Sequence, residues 1–400
     1  MNRLAVRITD IAGRGGLALL AITLMFCVSA WMHSASAAEL NDYLPKATPA
    51  DFFPGADRFG ALQGDPPIAP VYQGDRLQGY VYLNSDLANA TGYSGKPIKI
   101  LVGIDANGVV KGLKLVDHKE PIVLIGIPEP RIVAAVNSLI GKDMKPVANG
   151  SEGPPQVDIV SGATVTVLVM SDSIVRSAVK LIRTGRIGGG GAGATAAAAS
   201  LPPVTKTIDL QRSEQRSWAD LLGDGSIRRL HLSIADVNQA FAKSGNEAAA
   251  QNAEPGDPSD AFIDLYVALA SVPTIGRSLL GDQGYDNLKA RLQPGQQAFV
   301  IAGNGVYSFK GSAYVRGGLF DRIEILQEGG STRFRDRNHM RLGALAAAGA
   351  PDLHEIGLFV TPPDFTLDPT EPWQLRLLVQ RAVAAREKAF LSFDVDYTLP

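Results

Sequence analysis

The chain has 400 residues, of which 46% are hydrophobic and 20% charged, with 42 Gly and 25 Pro; this excludes wholesale disorder, a collagen-like repeat and a single small module. Its 38 Lys plus Arg against 40 Asp plus Glu give a net charge of -2, so no overall charge draws it to nucleic acid or anionic lipid. With one cysteine, Cys27, the chain alone builds no disulfide framework, CxxC redox pair, iron–sulfur cluster or zinc–thiolate site. Any redox chemistry must therefore come from an organic cofactor or a partner.

Arg3, Arg7 and Arg14 precede an uncharged run from Gly15 to Met32, and small residues follow from Ser34 to Ala38. That order is a basic region, an apolar region and a processing site at Ala35-Ser36-Ala37 or Ser36-Ala37-Ala38. At about 1.5 Å per residue the run is long enough to cross a bilayer core of ~30 Å, so residues 1–38 read as a signal peptide or an N-terminal membrane anchor. Either way the positive-inside rule sends Glu39 onward across the membrane. Leu375 to Phe393, the best later amphipathic candidate, is too charged to span one, with Arg376, Arg381, Arg386, Glu387 and Lys388.

A first domain follows over 39–186. Leu77 to Leu83 reads as a strand, and Pro97 to Val116 as two strands joined at Ala106-Asn107-Gly108, where Asn-Gly supplies a tight turn. Pro130-Arg131 opens a helix expected to reach Ile140; Val157 to Val160 is extended, and Val165 to Arg183 is a strong helix. The fold class expected is α+β, an antiparallel sheet with helices on one side. The Gly- and Ala-rich stretch 187–203 is a tether to a second α+β domain over 204–400. Within that domain, Lys243 to Asp260 reads as a surface loop. Gln297 to Ala302 and Gly305 to Lys310 read as strands joined at Gly303-Asn304, and Leu319 to Gln327 as another. Lys310, Arg316, Arg322, Arg333, Arg335 and Arg337 make this region locally basic, either a solvated face or a surface that docks an acidic partner or the first domain.

The chemistry concentrates in Asp158-Ile159-Val160-Ser161-Gly162-Ala163-Thr164-Val165-Thr166, a strand end, a turn of small and hydroxyl residues, then a helix. Amides at a helix start lack intrahelical partners and carry the positive end of the dipole, so the turn suits a phosphate; equally, its hydroxyls serve as a simple N-cap. Asp158 positions a metal ion or caps the turn. Upstream, His118 and Glu120 lie in Asp117-His118-Lys119-Glu120-Pro121, and Tyr93 in Ala90-Thr91-Gly92-Tyr93-Ser94-Gly95, where it stacks on a ligand or simply packs. His231, His339 and His354 are too scattered for a metal motif, and no nucleophile–base pair marks a catalytic residue.

The motif Asp158 to Thr166 resembles the flavinylation motif of the FMN-binding domain shared by the NosR, NqrC and RnfG families. The resemblance implies that an FMN transferase joins the flavin phosphate to the last threonine, Thr166, with Ser161, Gly162, Ala163 and Thr164 around it. His118 and Glu120 match the flavin-domain signature, and the loop holding Tyr93 matches its Gly-Tyr loop. In the second domain, Phe262 to Val267, Ser271 to Arg277, Tyr307 to Arg322 and Phe334 to Arg337 resemble the exported region of the NosR family.

That family resemblance implies covalent FMN, a place in the cytoplasmic membrane with the bulk of the chain facing the periplasm, and a part in denitrification. There the protein would act in electron transfer to nitrous oxide reductase, or in its regulation and maturation, without turning over a substrate of its own. The alternative reading is a flavin redox-sensing module that docks a partner during copper-site maturation. The partners implied are nitrous oxide reductase or its maturation factors, the FMN transferase and membrane electron-transfer proteins. In the family, transmembrane helices and cysteine-rich iron–sulfur motifs follow the exported region, and Asp396 to Pro400 reads as a point just before such a span.

Overall fold

The computed structural model describes residues 39–155, 157, 160, 162–187, 206–311, 318–327, 330–363, 365–384 and 387–400. The chain begins there with α1 (Leu40–Tyr43), β1 (Arg58–Phe59), β2 (Ala69–Gln73), β3 (Arg76–Leu83), α2 (Asn84–Leu87), β4 (Lys99–Ile104) and β5 (Val110–Asp117). It continues with α3 (Pro121–Ile125), α4 (Glu129–Val136), α5 (Lys145–Ala148) and α6 (Thr164–Arg183). The five strands pair antiparallel in sequence order. Side chains alternate across a strand. Tyr82, Val102 and Ile104 therefore pack on Val167, Ile174 and Leu181 of α6 and Ile132 of α4, while Val81, Leu83 and Leu101 pack beneath Leu40, Phe52 and Phe53.

The turn between β4 and β5 is built by Asp105, whose carboxylate accepts from the amides of Asn107 and Val109 at 2.8 and 3.0 Å, with Gly108 at φ +82°. The helix expected to reach Ile140 is α-helical only to Val136, and a 3-10 turn covers Asn137–Leu139.

The second half runs through α7 (Trp218–Gly223), β6 (Ile227–Ser233), α8 (Ile234–Lys243), α9 (Glu247–Gln251), β7 (Ala261–Leu269), α10 (Pro273–Arg291) and β8 (Ala298–Asn304). It ends with β9 (Ile323–Gln327), β10 (Gly330–Thr332), β11 (His339–Arg341), β12 (Glu355–Val360), β13 (Trp373–Ala384) and β14 (Glu387–Tyr397). These strands form two antiparallel sheets, ordered β11-β12-β8-β7-β6 and β10-β9-β13-β14. Leu265, Val267, Phe299, Ile301 and Phe359 from one sheet interdigitate with Ile323, Ile325, Leu375, Leu377 and Val379 from the other. The outer face of the larger sheet is covered by α7 and α10 through Trp218, Leu221, Ile275, Leu279 and Leu288. The whole is α+β.

Three expectations are corrected. Gly305 to Lys310 is not a strand, because β7 and β12 already occupy both edges of β8; Tyr307 instead stacks on Phe262 with ring centroids 4.8 Å apart. Leu319 to Gln327 becomes a strand only at Ile323. Lys243 to Asp260 is not bare loop, since Asn246 caps α9 by accepting from the Ala249 amide at 2.9 Å. Leu375 to Phe393 lies in the β13–β14 hairpin, where the alternation of buried Trp373, Leu375 and Leu377 with less buried Gln374 and Arg376 has period two.

Candidate functional site

α6 begins where the motif places it. Its first residue is Thr164, and the Val167 amide bonds to the Ala163 carbonyl at 2.9 Å, so the amides of Thr164, Val165 and Thr166 precede the intrahelical ladder. Ala163 is buried beneath them and Gly162 is exposed, with φ +85°. Asp158 and Ser161, both named from the sequence, lie outside the described residues.

Glu120 is the centre of the arrangement. It follows β5 and immediately precedes α3, is fully buried, and accepts from the Tyr93 amide at 3.1 Å, the Ser94 amide at 3.0 Å and the Thr166 hydroxyl at 2.9 Å. A buried carboxylate is tolerated where its oxygens are hydrogen-bonded, and here two segments far apart in sequence are tied through it. Gly92 must lack a side chain, since a Cβ there would lie 2.6 Å from Glu120 Oε2. His118 orients the turn by accepting from the Glu120 amide through Nδ1 at 3.2 Å, while its Nε2 is 3.3 Å from Glu129 Oε2. Removing the Glu120 carboxylate strands three donors. Glu120→Ala is expected to cost roughly 3 kcal/mol, and Glu120→Gln less, as read from urea unfolding midpoints. Equal midpoints for Glu120→Ala and the unmodified protein would show that the carboxylate does not hold the site together.

Thr166, expected to take the flavin, is only 1% exposed and its hydroxyl is held by Glu120. Thr164 is partly exposed. At about 100° per residue the two lie on opposite faces of α6. Thr166 shares its face with buried Met170, Ser173 and Ser177, and Thr164 sits one turn before Leu168, in line with Ser171, Asp172 and Val175.

Leu168, Ser171, Asp172 and Val175 of that second stripe line a cleft of about 750 Å³ between the halves of the chain. Opposite α6 the cleft is walled by Asp321, Arg322, Glu324, Arg333, Arg376 and Lys388. At its side, Arg376 Nη1 is 2.8 Å from Asp172 Oδ1 and Arg376 Nε is 2.8 Å from Asp394 Oδ1, while Arg176 Nη1 is 3.2 Å from Asp172 Oδ2. The halves also meet where the Ser331 amide donates to the Asn89 carbonyl at 2.9 Å and where Arg335 donates to the Tyr93 carbonyl.

The basic segment is therefore turned largely inward. Arg333 Nη2 is 2.7 Å from Glu324 Oε2, both buried; Arg322 donates to the Ser308 carbonyl at 2.6 Å; Arg335 reaches the first half. Arg337 is exposed, and Arg316 lies outside the described residues. His339 packs between Phe320 and Phe359, each ring centroid 4.8 Å away, and burial lowers its pKa to about 4. Sequence reasoning missed Asp172, Arg176 and Arg376, whose partners come from opposite halves. A signal was present in the polar pair Ser171-Asp172 interrupting an apolar helix.

With the site in view, the comparisons define its class. Residues 92–179, from the Gly92 loop through α6, match the model of the FMN-binding domain. The chain is 38% identical over 384 residues to Regulatory protein NosR of Pseudomonas aeruginosa, covering 94% of this chain and 52% of that protein. Against Regulatory protein NosR of Stutzerimonas stutzeri it is 38% identical over 372 residues, covering 92% and 50%. Protein NirI of Paracoccus denitrificans is 34% identical over 336 residues, covering 82% and 45%. The chain belongs to the NosR family, and it spans about half the length of the curated relatives it matches.

Proposed function

We propose that this protein carries FMN in covalent linkage at the head of α6 and serves nitrous oxide reductase as an electron-transfer and regulatory flavoprotein. The observation that carries this reading is the match of 92–179 to an FMN-binding domain whose helix α6 opens with the flavinylation motif. The amides before the helical ladder suit the phosphate, and Gly162, at φ +85°, turns the chain into the helix.

The family resemblance points to Thr166 as the attachment site, and we assign the bond there. Its hydroxyl donates to the Glu120 carboxylate at 2.9 Å, a base in place to take the proton as the oxygen bonds to phosphorus. The test is co-expression with an FMN transferase followed by denaturing electrophoresis: a fluorescent band at the mass of the chain is expected, and its absence overturns the reading.

The same reading makes this a protein of the cytoplasmic membrane with Glu39 onward in the periplasm, on the strength of Arg3, Arg7 and Arg14 before the run Gly15 to Met32. That run lies outside the described residues, among which no helix is long and apolar enough to cross a membrane. A reporter fused after Pro203 is expected to work only if it needs export; activity of a cytoplasm-only reporter there would reverse the topology.

A further inference from the structure

A second, smaller pocket of about 250 Å³ opens between the halves of the chain beside Gly92. One wall comes from residues within 89–97 of the first half and the other from residues within 331–338 of the second. The volume falls below the roughly 300–1,000 Å³ of sites for drug-sized molecules, so the pocket suits a small ligand. Neither Glu120 nor Thr166 lines it, which sets it apart from the attachment hydroxyl.

The charge of the lining has one sign. Lys96, Arg333, Arg335 and Arg337 all line the pocket, and among the described residues no carboxylate does. Glu324 engages Arg333 through Nη2 at 2.7 Å; Lys96, Arg335 and Arg337 form no ion pair among the described residues. Asp336, which lies between two of the arginines in sequence, is exposed and does not line the pocket. Two buried side chains add unused hydrogen-bonding capacity. Arg333 is 8% exposed and its Nε and Nη1 have no partner among the described residues, and Ser331 is 2% exposed with its Oγ in the same state. Buried polar groups left so are costly unless a ligand satisfies them. Arg333 also reaches the larger cleft, but Asp172, Asp321 and Glu324 wall that one and repel an anion.

We propose that this smaller pocket binds a free oxyanion of the phosphate class, held by the three arginines, Lys96 and the Ser331 hydroxyl, and that the bound anion clamps the two halves together. Guanidinium forks match the oxygens of such an anion bidentately, and lysine adds a point charge. Lys96 belongs to the first half and the arginines to the second, so without an anion these like charges repel across the gap. An anion between them reverses the sign of that interaction. It thereby reinforces the two contacts already at this edge, Ser331 to Asn89 and Arg335 to Tyr93. The inference does not depend on the flavin reading.

Calorimetric titration of the full chain with inorganic phosphate, at ionic strength held constant with chloride, is expected to show one saturable site per chain. Phosphate is also expected to raise the urea midpoint and to slow hydrogen exchange of the Ser331 amide. Ser331→Ala deletes a hydroxyl that bonds to no other described residue, so it is expected to leave the midpoint without phosphate unchanged and to weaken phosphate binding a few-fold. Lys96→Gln with Arg337→Gln removes two exposed cations and is expected to weaken binding by about tenfold or more. Lys289→Gln, an exposed cation of α10 outside the pocket, is expected to change nothing. Absence of saturable binding overturns the site. So does binding that both pocket variants leave intact, or that Lys289→Gln weakens as much as they do, since either result reduces it to general charge attraction. The same titration on the chain loaded with FMN by the transferase separates the two sources of phosphate. Undiminished affinity assigns the pocket to a free anion; affinity abolished by loading assigns it to the flavin's own phosphate and overturns a separate site.

Discussion

Thr166→Ala is expected to abolish the denaturation-resistant flavin band and, with it, support of nitrous oxide reductase in cells, although the protein accumulates. Thr164, the neighbouring hydroxyl of α6, lies on the opposite face of the helix and does not replace it. Losing the hydrogen bond to Glu120 is expected to cost about 1 kcal/mol of stability. Thr164→Ala is the complementary variant. Replacing the first helical residue by Ala costs the fold little, since Ala is the best helix former, so it is expected to keep both stability and flavin. The reverse pattern, flavin kept by Thr166→Ala and lost in Thr164→Ala, would move the bond to Thr164. Full reductase activity in cells carrying only Thr166→Ala would defeat the electron-carrier role.

How much of this was legible in the sequence follows from how local each signal is. α6 was readable nearly to the residue because its apolar period, its small-residue turn and its flanking motif all lie within one segment. The contact that holds Thr166 was not, because its partner Glu120 lies 46 positions away and is itself held by the Gly92 loop. The β13–β14 hairpin was hidden by its own composition: Arg376 and Arg381 break an apolar run whose alternation is plain only once Glu324, Asp394 and Glu254 are seen to neutralise them. Gly305 to Lys310 looked like a strand and failed for a tertiary reason, the occupancy of both edges of β8. The basic residues read either as a solvated face or as a surface that docks a partner or the first domain. Arg333 pairs with Glu324 inside the second half and Arg335 reaches Tyr93 of the first, a division that no count of charges reveals.

Asp172→Ala is expected to destabilise the protein by roughly 3 kcal/mol, the scale of breaking a buried ion pair by removing one partner. Asp172 lies between Arg176 on its own helix and Arg376 on β13, with the three side chains each under one-fifth exposed. Burial works to raise the Asp172 pKa; the two guanidiniums overcome it and hold the carboxylate below its ordinary 3.8. Arg376 is in turn held charged, against the opposing effect of burial, by Asp394 and Asp172. Because the folded value is depressed, the stabilisation is fully present above the unfolded value and is lost as pH falls through the folded one. The difference in unfolding midpoint between the unmodified protein and Asp172→Asn should therefore be constant from pH 7 to about pH 5 and shrink below pH 4. Arg176→Ala leaves the Arg376 bond in place and should cost about 1 kcal/mol or less. The position of these charges gives the acid limb a second readout. Asp172 lines the cleft and joins the two halves, so acidification should speed amide hydrogen exchange along their contact before the FMN-binding domain itself unfolds. A difference between Asp172→Asn and the unmodified protein that stays constant down to pH 3 would show that Asp172 is not the titrating link, and the halves would then be held by the Asn89–Ser331 and Tyr93–Arg335 contacts.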